Sequence, residues 1–305
     1  MQTNWIIIAN PTAGGGKGKQ QATALSSLLS TRAINHQVFF TEAPKQLTEI
    51  AHQQIKEGHQ YFIVVGGDGS LHEWINAALN QSIISPKALH VGFLPSGTGN
   101  DFARTLNLGN YPEYLLPLIE KGQYRYLDAG KATVTQQQKV ISQYYANVAG
   151  MGFDAFVAEN YLSKNKSMGQ VSYLFSLLQG LFAYRNQEVS VQVNDEVIKS
   201  KIFVLAAGIG KYFGGGMKIC PNASPDNALL DITLVQNMSK LAIVRELSNI
   251  YSGNFIKNKQ IRTLRTTQIT IDAPKPVYIQ LDGELVGHTP ASFSVLPQYW
   301  RILAP

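Results

Sequence analysis

The sequence predicts two linked domains of different class, a doubly wound α/β domain followed by an antiparallel sandwich or barrel-like domain. Three observations carry this. The chain has 305 residues, enough for about two domains of roughly 150 residues, each with a core of its own. Its first third alternates strand-like apolar runs with helix-like periodicity, the signature of a mostly parallel sheet with ligand loops at the carboxyl ends of the strands. From about Leu127 the pattern changes to short, often alternating segments separated by turn residues, which reads as antiparallel.

The elements follow in order. Trp5 to Ala9 is a continuous apolar run ending at Asn10-Pro11 and a glycine cluster, so it reads as a buried strand and a turn. A helix follows from about Lys17, with Ala24, Leu25, Leu28 and Leu29 on one face. Val38 to Thr41 reads as a strand, and Leu47, Ile50, Ala51 and Ile55 mark a second amphipathic helix. Tyr61 to Val65 is the third strand. Ser70 and Glu73 have the spacing of a capping box, which starts a helix beyond Gly69. His90 to Leu94 is the fourth strand. In the second half, strands are predicted at Gln143 to Val148, Val189 to Val193, Ile202 to Ala206, Leu230 to Val235, Gln268 to Asp272, Val277 to Leu281 and Phe293 to Leu296. Helices are expected near Val171 to Tyr184 and Lys240 to Ser252, and Gln136 to Gln138 falls in a loop. Trp5, Trp74 and Trp300 are assigned to packing.

Composition excludes several classes of function. Charged residues are 15% of the chain and apolar residues 45%, which rules out charge-driven disorder. The net charge of +6 is spread out, with no basic run, so no nucleic-acid arm is expected; anionic phosphates or a membrane surface remain open as partners. Cys220 is the single cysteine and the six histidines form no HxxxH pair. Disulfides, zinc knuckles and helical zinc sites are excluded, and a metal should be a hard ion held by oxygen. Met1 to Pro11 lacks a basic start and a small-residue cleavage site, and Tyr173 to Tyr184 is too interrupted to span a bilayer. The expected location is the cytoplasm.

Three glycine-rich turns follow strands of the first domain: Asn10 to Lys17, Gly66 to Ser70, and Pro95 to Asp101. A single glycine turn is ordinarily just a turn. Three at one sheet edge point to a polyphosphate site, because glycine lets backbone N–H groups approach an anion and the helix N-terminus behind each turn favours negative charge. The P-loop template fails, since Lys17 to Gln20 has neither its spacing nor its hydroxyl. Gly150 to Ala155 fits a Rossmann pattern but lies in the all-β half, so close backbone approach at a domain junction is the favoured reading. Asp68, between glycines at a helix start, reads either as a turn residue or as a carboxylate holding magnesium beside phosphates; the glycine cradle favours the second. Asn100-Asp101 presents the same choice against N-cap chemistry. Asp282-Gly283-Glu284 after a strand reads on its own as a hairpin turn.

Taken together, the motifs resemble the diacylglycerol kinase catalytic-domain family of bacterial lipid kinases, whose fold is related to sphingosine kinases and NAD kinases. The carriers are Asn10-Pro11 with its glycines, Gly66-Gly67-Asp68-Gly69-Ser70 with Glu73, Pro95 to Arg104, Gly152 to Ala155, and Leu281-Asp282-Gly283-Glu284. The resemblance spans nearly the whole chain. It implies a nucleotide-binding α/β domain over 1–127 to which 298–305 return, and a larger antiparallel β-sandwich domain over 128–297. It also implies ATP in the cleft, with nucleotide contacts from Asn10, Thr41, Gly66, Gly67, Asp68, Gly69, Ser70, Leu71, His72 and Thr98. Glu284 corresponds to the proton acceptor, which overrides the plain hairpin reading, and Asp68 to the carboxylate of the Mg²⁺ and nucleotide network.

One departure stands out. Where the family often has Asp-Asp-Gly-x-x-Asp, this chain has Asp226-Asn227-Ala228-Leu229-Leu230-Asp231. The implied structural magnesium would be held by Ser224, Asn227 and Leu229, the first and last through carbonyls. The Asn227 carbonyl can still ligate a hard cation but removes one negative charge and should weaken the site, unless Asp226 moves in to substitute. Ser70 stands where threonine is commoner and keeps the hydroxyl. The leading expectation is an ATP-dependent kinase acting on a lipid hydroxyl, diacylglycerol first, giving phosphatidic acid. The enzyme would reach its lipid substrate peripherally, helped by its positive charge and by apolar residues near Tyr161 to Tyr184. A kinase for a soluble acceptor such as NAD and a catalytically silent nucleotide-binding adaptor are the alternatives. No nucleic acid is expected as partner, and a homodimer is left open.

Overall fold

The computed structural model describes residues 3–162 and 180–305. The chain divides into two compact units, Met1–Ala129 with Leu296–Pro305, and Gly130–Val295.

The first unit is a parallel sheet with helices on its faces. Strands β1 (Asn4–Ala9), β3 (Tyr61–Gly66) and β4 (His90–Pro95) are buried at nearly every position, and β2 (Asn35–Phe40) is half-exposed at the edge. The order is β2-β1-β3-β4, all parallel, extended by Ile302 of β14 (Glu284–Leu303) beside Val91. Continuous apolar runs suit strands covered on both faces. Burial of Ile6, Ile7 and Ile8, none of which is exposed, contributes about 1.5–3 kcal/mol each. The helices are α1 (Ala13–Thr31), α2 (Gln46–Lys56), α3 (Asp68–Leu79), α4 (Asp101–Leu106) and α5 (Leu115–Lys121). Leu25 and Leu29 of α1, with Leu115, Leu116 and Leu118, pack into one core with Ile7, Ile63 and Leu94. Trp300 lies 5.8 Å from the Phe102 ring and 6.3 Å from Trp74, and its Nε1 donates to the Asp128 carbonyl at 3.0 Å.

Two expectations are corrected here. Helix α3 starts at Asp68 after an extended Gly67 (φ −96°), two residues before Ser70, and has no side-chain cap. Ser70 therefore sits inside the first turn, and the Glu73 carboxylate accepts from the Lys45 N–H at 3.2 Å. Asp68 takes the first helical position because a negative charge is favoured there. Strand β2 begins three residues earlier than its apolar end suggests and stops before Thr41.

The second unit is antiparallel. Its strands are β5 (Tyr124–Gln136, shared with the first unit), β6 (Lys139–Tyr145), β7 (Val148–Gly152), β8 (Gln187–Val193), β9 (Glu196–Gly208), β10 (Leu230–Gln236), β11 (Ile261–Thr266), β12 (Gln268–Asp272), β13 (Tyr278–Leu281) and the first part of β14. The pairings close on themselves as β7-β9-β8-β12-β14-β13-β7. The two layers of the expected sandwich are thus joined through the long strands β9 and β14, each of which pairs into both. Phe293, Ile279, Leu205, Ile232 and Ile271 fill the interior. Helices α6 (Phe153–Val157) and α7 (Lys240–Ser252) lie outside the circuit.

The segment Gln143 to Val148 is not one strand but the end of β6 and the start of β7. Between them the N–H groups of Ala146 and Asn147 bond a carboxylate instead of a neighbouring strand. Segment Phe293 to Leu296 and the returning segment at Trp300 are one strand of 20 residues. Strands β5 and β11 had no sequence counterpart. Of the helix expected near Val171 to Tyr184, residues 171–179 lie outside the described residues. Among the described residues no helix is long and apolar enough to cross a membrane.

Candidate active site

The three glycine turns follow β1, β3 and β4 at one edge of the parallel sheet, and they are physically interlocked. Gly14, Gly15 and Gly16 all have left-handed backbone (φ 58°, 70° and 99°), so the regular part of α1 begins at Lys17. A Cβ on Gly14 would overlap the Ser96 carbonyl of the third turn, and one on Gly18 would overlap the Asn10 carbonyl. A Cβ on Gly97 would stand 2.6 Å from the Gly67 Cα. Glycine is required wherever one turn lies against the backbone of another.

Asp68 joins the second turn to the third. Its Oδ2 accepts the Asp101 N–H at 3.2 Å and its Oδ1 the Phe102 N–H at 3.0 Å. These are the opening N–H groups of α4, whose own N-cap residue, Asn100, is left-handed (φ 51°) and provides no side-chain cap. One carboxylate thus stands at the N-termini of both α3 and α4, where helix dipoles favour negative charge. Asp101 in turn accepts from Arg104 Nη1 at 2.6 Å.

A cavity of about 320 Å³ opens beside these turns, lined by Lys17, Gln20, Gln21, Pro95, Ser96, Gly97, Asn100 and Asn110. Lys17 is exposed and has no ion pair among the described residues. Ser96 Oγ donates to Gln21 Oε1. The Asn100 Oδ1 is shut off from solvent without a hydrogen-bond partner. The Gly97 backbone, the Lys17 cation and a wall of polar side chains fit a phosphate-bearing ligand. Lys17 closes the first glycine turn, as the sequence indicates, whereas Gln20, Gln21 and Asn110 have no sequence signal as lining residues.

The expected nucleotide contacts of this unit gather at the same edge. Asn10 Oδ1 accepts from the Thr12 N–H and Oγ1 at 3.1 and 2.9 Å, and the Thr41 N–H bonds the Ala9 carbonyl at 2.9 Å. Thr98 is exposed on the third turn. Ser70, Leu71 and His72, 6%, 2% and 6% exposed, turn their side chains inward, so the second turn presents chiefly backbone at this edge.

Glu284 belongs to the second unit, at the start of β14. The turn before it has left-handed Asp282 (φ 50°) and Gly283 (φ 93°), and Leu281 pairs with Glu284 across it. This is the primed two-residue hairpin that Asp-Gly favours. It is pinned from two sides. Asp282 accepts three backbone N–H groups, from Ala146, Asn147 and Val148, each at 3.0 Å. Gln280, 3% exposed, accepts the Gly283 N–H on Oε1 at 2.6 Å and donates from Nε2 to Asp154 Oδ2 at 3.0 Å. The Asp154 Oδ1 is closed to solvent with no well-formed hydrogen bond, and burial pushes this carboxyl up to about 6 against the pull of the Gln280 bond and of the Ala155 and Asp154 N–H groups. The Glu284 carboxylate is exposed and has no hydrogen bond or ion pair among the described residues.

The Gly150 motif is explained by the same arrangement. A Cβ on Gly150 would overlap Asp154 Oδ2, and one on Gly152 (φ 102°) would approach the Phe203 carbonyl at 2.5 Å. The close-approach reading holds, but the approaches are internal to the second unit and not at a domain junction.

The residues expected to hold a structural metal lie in the loop that leads into β10. Asn227 Oδ1 accepts the Leu229 N–H at 3.0 Å, and Ser224 Oγ donates to Asp226 Oδ1 at 2.6 Å. Ala228 is left-handed (φ 60°), a conformation suited to the glycine it replaces. The Asn227 oxygen accepts one backbone N–H and has a second lone pair, and among the described residues no three acidic, histidine or cysteine side chains gather.

Comparison with known proteins agrees with this geometry. Residues 4–132 match the family model described as diacylglycerol kinase catalytic domain, and residues 147–304 match the YegS C-terminal NAD kinase beta sandwich-like domain. The chain is 25% identical over 300 residues to a diacylglycerol kinase of Mycobacterium tuberculosis (strain CDC 1551 / Oshkosh), covering 98% of this chain and 94% of that protein. It is 26% identical over 302 residues to a diacylglycerol kinase of Staphylococcus carnosus (strain TM300), with the same coverage. In fold it is similar to a crystal structure of a diacylglycerol kinase from Bacillus anthracis str. Sterne, at TM-score 0.72 and 20% identity over 100% of this chain and 97% of the other. Yeast NADH kinase complexed with NADH shares the fold at TM-score 0.55 and 10% identity, over 99% and 83%. With an α/β unit carrying interlocked phosphate-type turns, an antiparallel β unit and both family models matched, the chain belongs to the diacylglycerol kinase catalytic-domain family and is a lipid kinase.

Proposed function

We propose that this kinase transfers the γ-phosphoryl group of ATP to the hydroxyl of diacylglycerol, giving phosphatidic acid and ADP. The observation that carries this reading is the Glu284 carboxylate, unengaged among the described residues, on a hairpin pinned by Asp282 and Gln280. Such a group is placed to take a proton and has no other evident employment. The lipid oxygen attacks the γ-phosphorus, the bond from that phosphorus to the β-bridging oxygen breaks, and the hydroxyl proton passes to Glu284. The glycine turns and Lys17 hold the polyphosphate. Mg²⁺ bound with ATP would supply charge neutralisation on the phosphates, and Asp68 is the residue that would hold it.

The test is incubation with labelled ATP, Mg²⁺ and mixed micelles of diacylglycerol, phosphatidylglycerol, sphingosine and undecaprenol, with NAD in a separate arm. Label in phosphatidic acid is the expected result. Label in NADP would replace the lipid acceptor with a soluble one, a reading favoured only by the fold shared with NADH kinase. ATP binding with no transfer to any acceptor would make the protein a silent adaptor.

A further inference from the structure

We propose that helix α7, together with Phe182, is the surface by which this enzyme seats on an anionic bilayer. The inference rests on the lipid-substrate reading above and locates the membrane contact that reading requires. Helix α7 is capped by Ser239, whose side chain accepts the Ala242 N–H, and ends at the left-handed Gly253 (φ 80°). None of its residues is buried. Ala242, Ile243 and Ile250 pack against the core cluster that holds Phe203, Val204 and Phe255. The other side carries Leu241, Val244 and Tyr251, exposed by 62%, 41% and 58%.

At roughly 100° per residue, these three and Ser248 fall within an arc of about 80°. Lys240 flanks the arc on one side and Arg245 on the other. Glu246 points to the opposite half, where it accepts from Asn249 and Asn258 at 2.8 and 2.9 Å. Phe182, 69% exposed, joins the stripe at the helix start: Lys240 Nζ donates to its carbonyl and lies 5.6 Å from its ring centroid. An apolar stripe edged by cations is the pattern of a helix lying in the plane of a membrane interface. The charge also selects the occupant. Pairing this face with itself in a second copy would bring Lys240 and Arg245 against like charges with no carboxylate on the stripe, whereas anionic headgroups complement both. Of the expected apolar anchor near Tyr161 to Tyr184, Tyr184 is in fact buried at 5%. Side chains 161–179 lie outside the described residues; among the described ones Phe182 is the large apolar side chain left exposed there.

The test compares the full chain with two variants, Phe182→Ser/Leu241→Ser/Val244→Ser/Tyr251→Ser and Lys240→Gln/Arg245→Gln. Each is measured for co-sedimentation with phosphatidylcholine vesicles with and without phosphatidylserine. Activity is measured on vesicle-borne diacylglycerol and on a short-chain, monomerically dispersed diacylglycerol. The apolar variant should lose at least about 100-fold in partitioning. The charge variant should lose about 10- to 30-fold, and only on phosphatidylserine vesicles at low salt. Both should keep short-chain turnover within about twofold of the parent. Parent-like vesicle binding by the apolar variant would overturn the proposal. So would equal loss on both substrates, which would make the face structural, or a parental dimer that the substitutions split with vesicle binding unchanged. Vesicle binding without phosphorylation of either substrate by the parent would overturn the lipid-substrate reading and leave the docking face standing.

Discussion

Replacing Asp68 by asparagine separates the two tasks its carboxylate performs. As a cap, it accepts the Asp101 and Phe102 N–H groups at 3.2 and 3.0 Å, one on each oxygen, for a six-residue helix with no cap of its own. An asparagine offers one oxygen and turns an amide NH₂ toward the other N–H, so one charge-assisted bond is lost and two donors face each other. That costs about 1–3 kcal/mol, or a fall in melting temperature of about 2–12 °C at about 2–4 °C per kcal/mol. As part of the proposed nucleotide network, the same change should lower kcat/KM by at least about 100-fold, about 2.7 kcal/mol of transition-state stabilisation. Calorimetry gives the first number, and steady-state kinetics well below the melting transition, where the fold remains populated, gives the second. A lowered melting temperature with parental kcat/KM would reduce Asp68 to a helix cap and sink the catalytic assignment. An unchanged melting temperature would show that the capping geometry contributes nothing.

Glu284→Gln keeps the hairpin and removes the proton acceptor, so kcat should fall by about 10²–10⁴-fold while calorimetric ATP affinity stays near the parent's; wild-type-like turnover would remove Glu284 from the mechanism. Asp154→Asn should stabilise the protein above pH 6. Burial raises this carboxyl from 3.8 to about 6, so the fold bears the cost of ionising it above that pH and no cost below 3.8; the gain, about 1–3 kcal/mol, should appear in melts at pH 8 and vanish at pH 4. Gly14→Ala should destabilise the first unit more than Gly15→Ala. Both glycines are left-handed, worth about 1–2 kcal/mol of strain for alanine, but only the Gly14 methyl would strike another turn, at the Ser96 carbonyl, while that of Gly15 meets open space; equal losses would contradict the interlocking of the turns.

What the sequence made legible was local. Apolar runs such as Trp5 to Ala9 and periodic leucines in α1 are covered on both faces or along one stripe, and each carries its own signal. Helix α7 could be read to its end residues because Ser239 caps it and Gly253 stops it. Less legible were elements whose hydrogen bonds are distant in sequence. The boundary between β6 and β7 depends on Asp282, more than 130 residues away. The capping box at Ser70 and Glu73 failed because Asp68, two residues earlier, already stood at two helix N-termini. Long strands were undersized for a related reason: β9 and β14 each change pairing partners partway along, and their apolar patterning shifts with the layer they join.

The Asp282 to Glu284 turn shows why a structural and a functional reading of one motif need not compete. Taken alone, Asp-Gly between strands is a hairpin, and a hairpin is what forms, with positive φ at both central residues. Yet an isolated two-residue turn tolerates several loop residues and requires none of the surrounding hydrogen bonds. Here Asp282 is tied to three N–H groups of the β6–β7 connection, and Gln280 is held by Asp154 at 3.0 Å so that its oxygen, not its amide, faces Gly283. That orientation has a stability cost, because Asp154 is left with one oxygen buried and without a well-formed hydrogen bond. A fold selected for stability alone would gain by replacing Asp154 with asparagine, which could still accept from Gln280. By orienting Gln280, the Asp154 side-chain oxygen holds the peptide N-terminal to Glu284 in one conformation; asparagine supplies the same acceptor and leucine none, so Asp154→Leu should lower kcat without raising the KM for ATP, with Asp154→Asn restoring it.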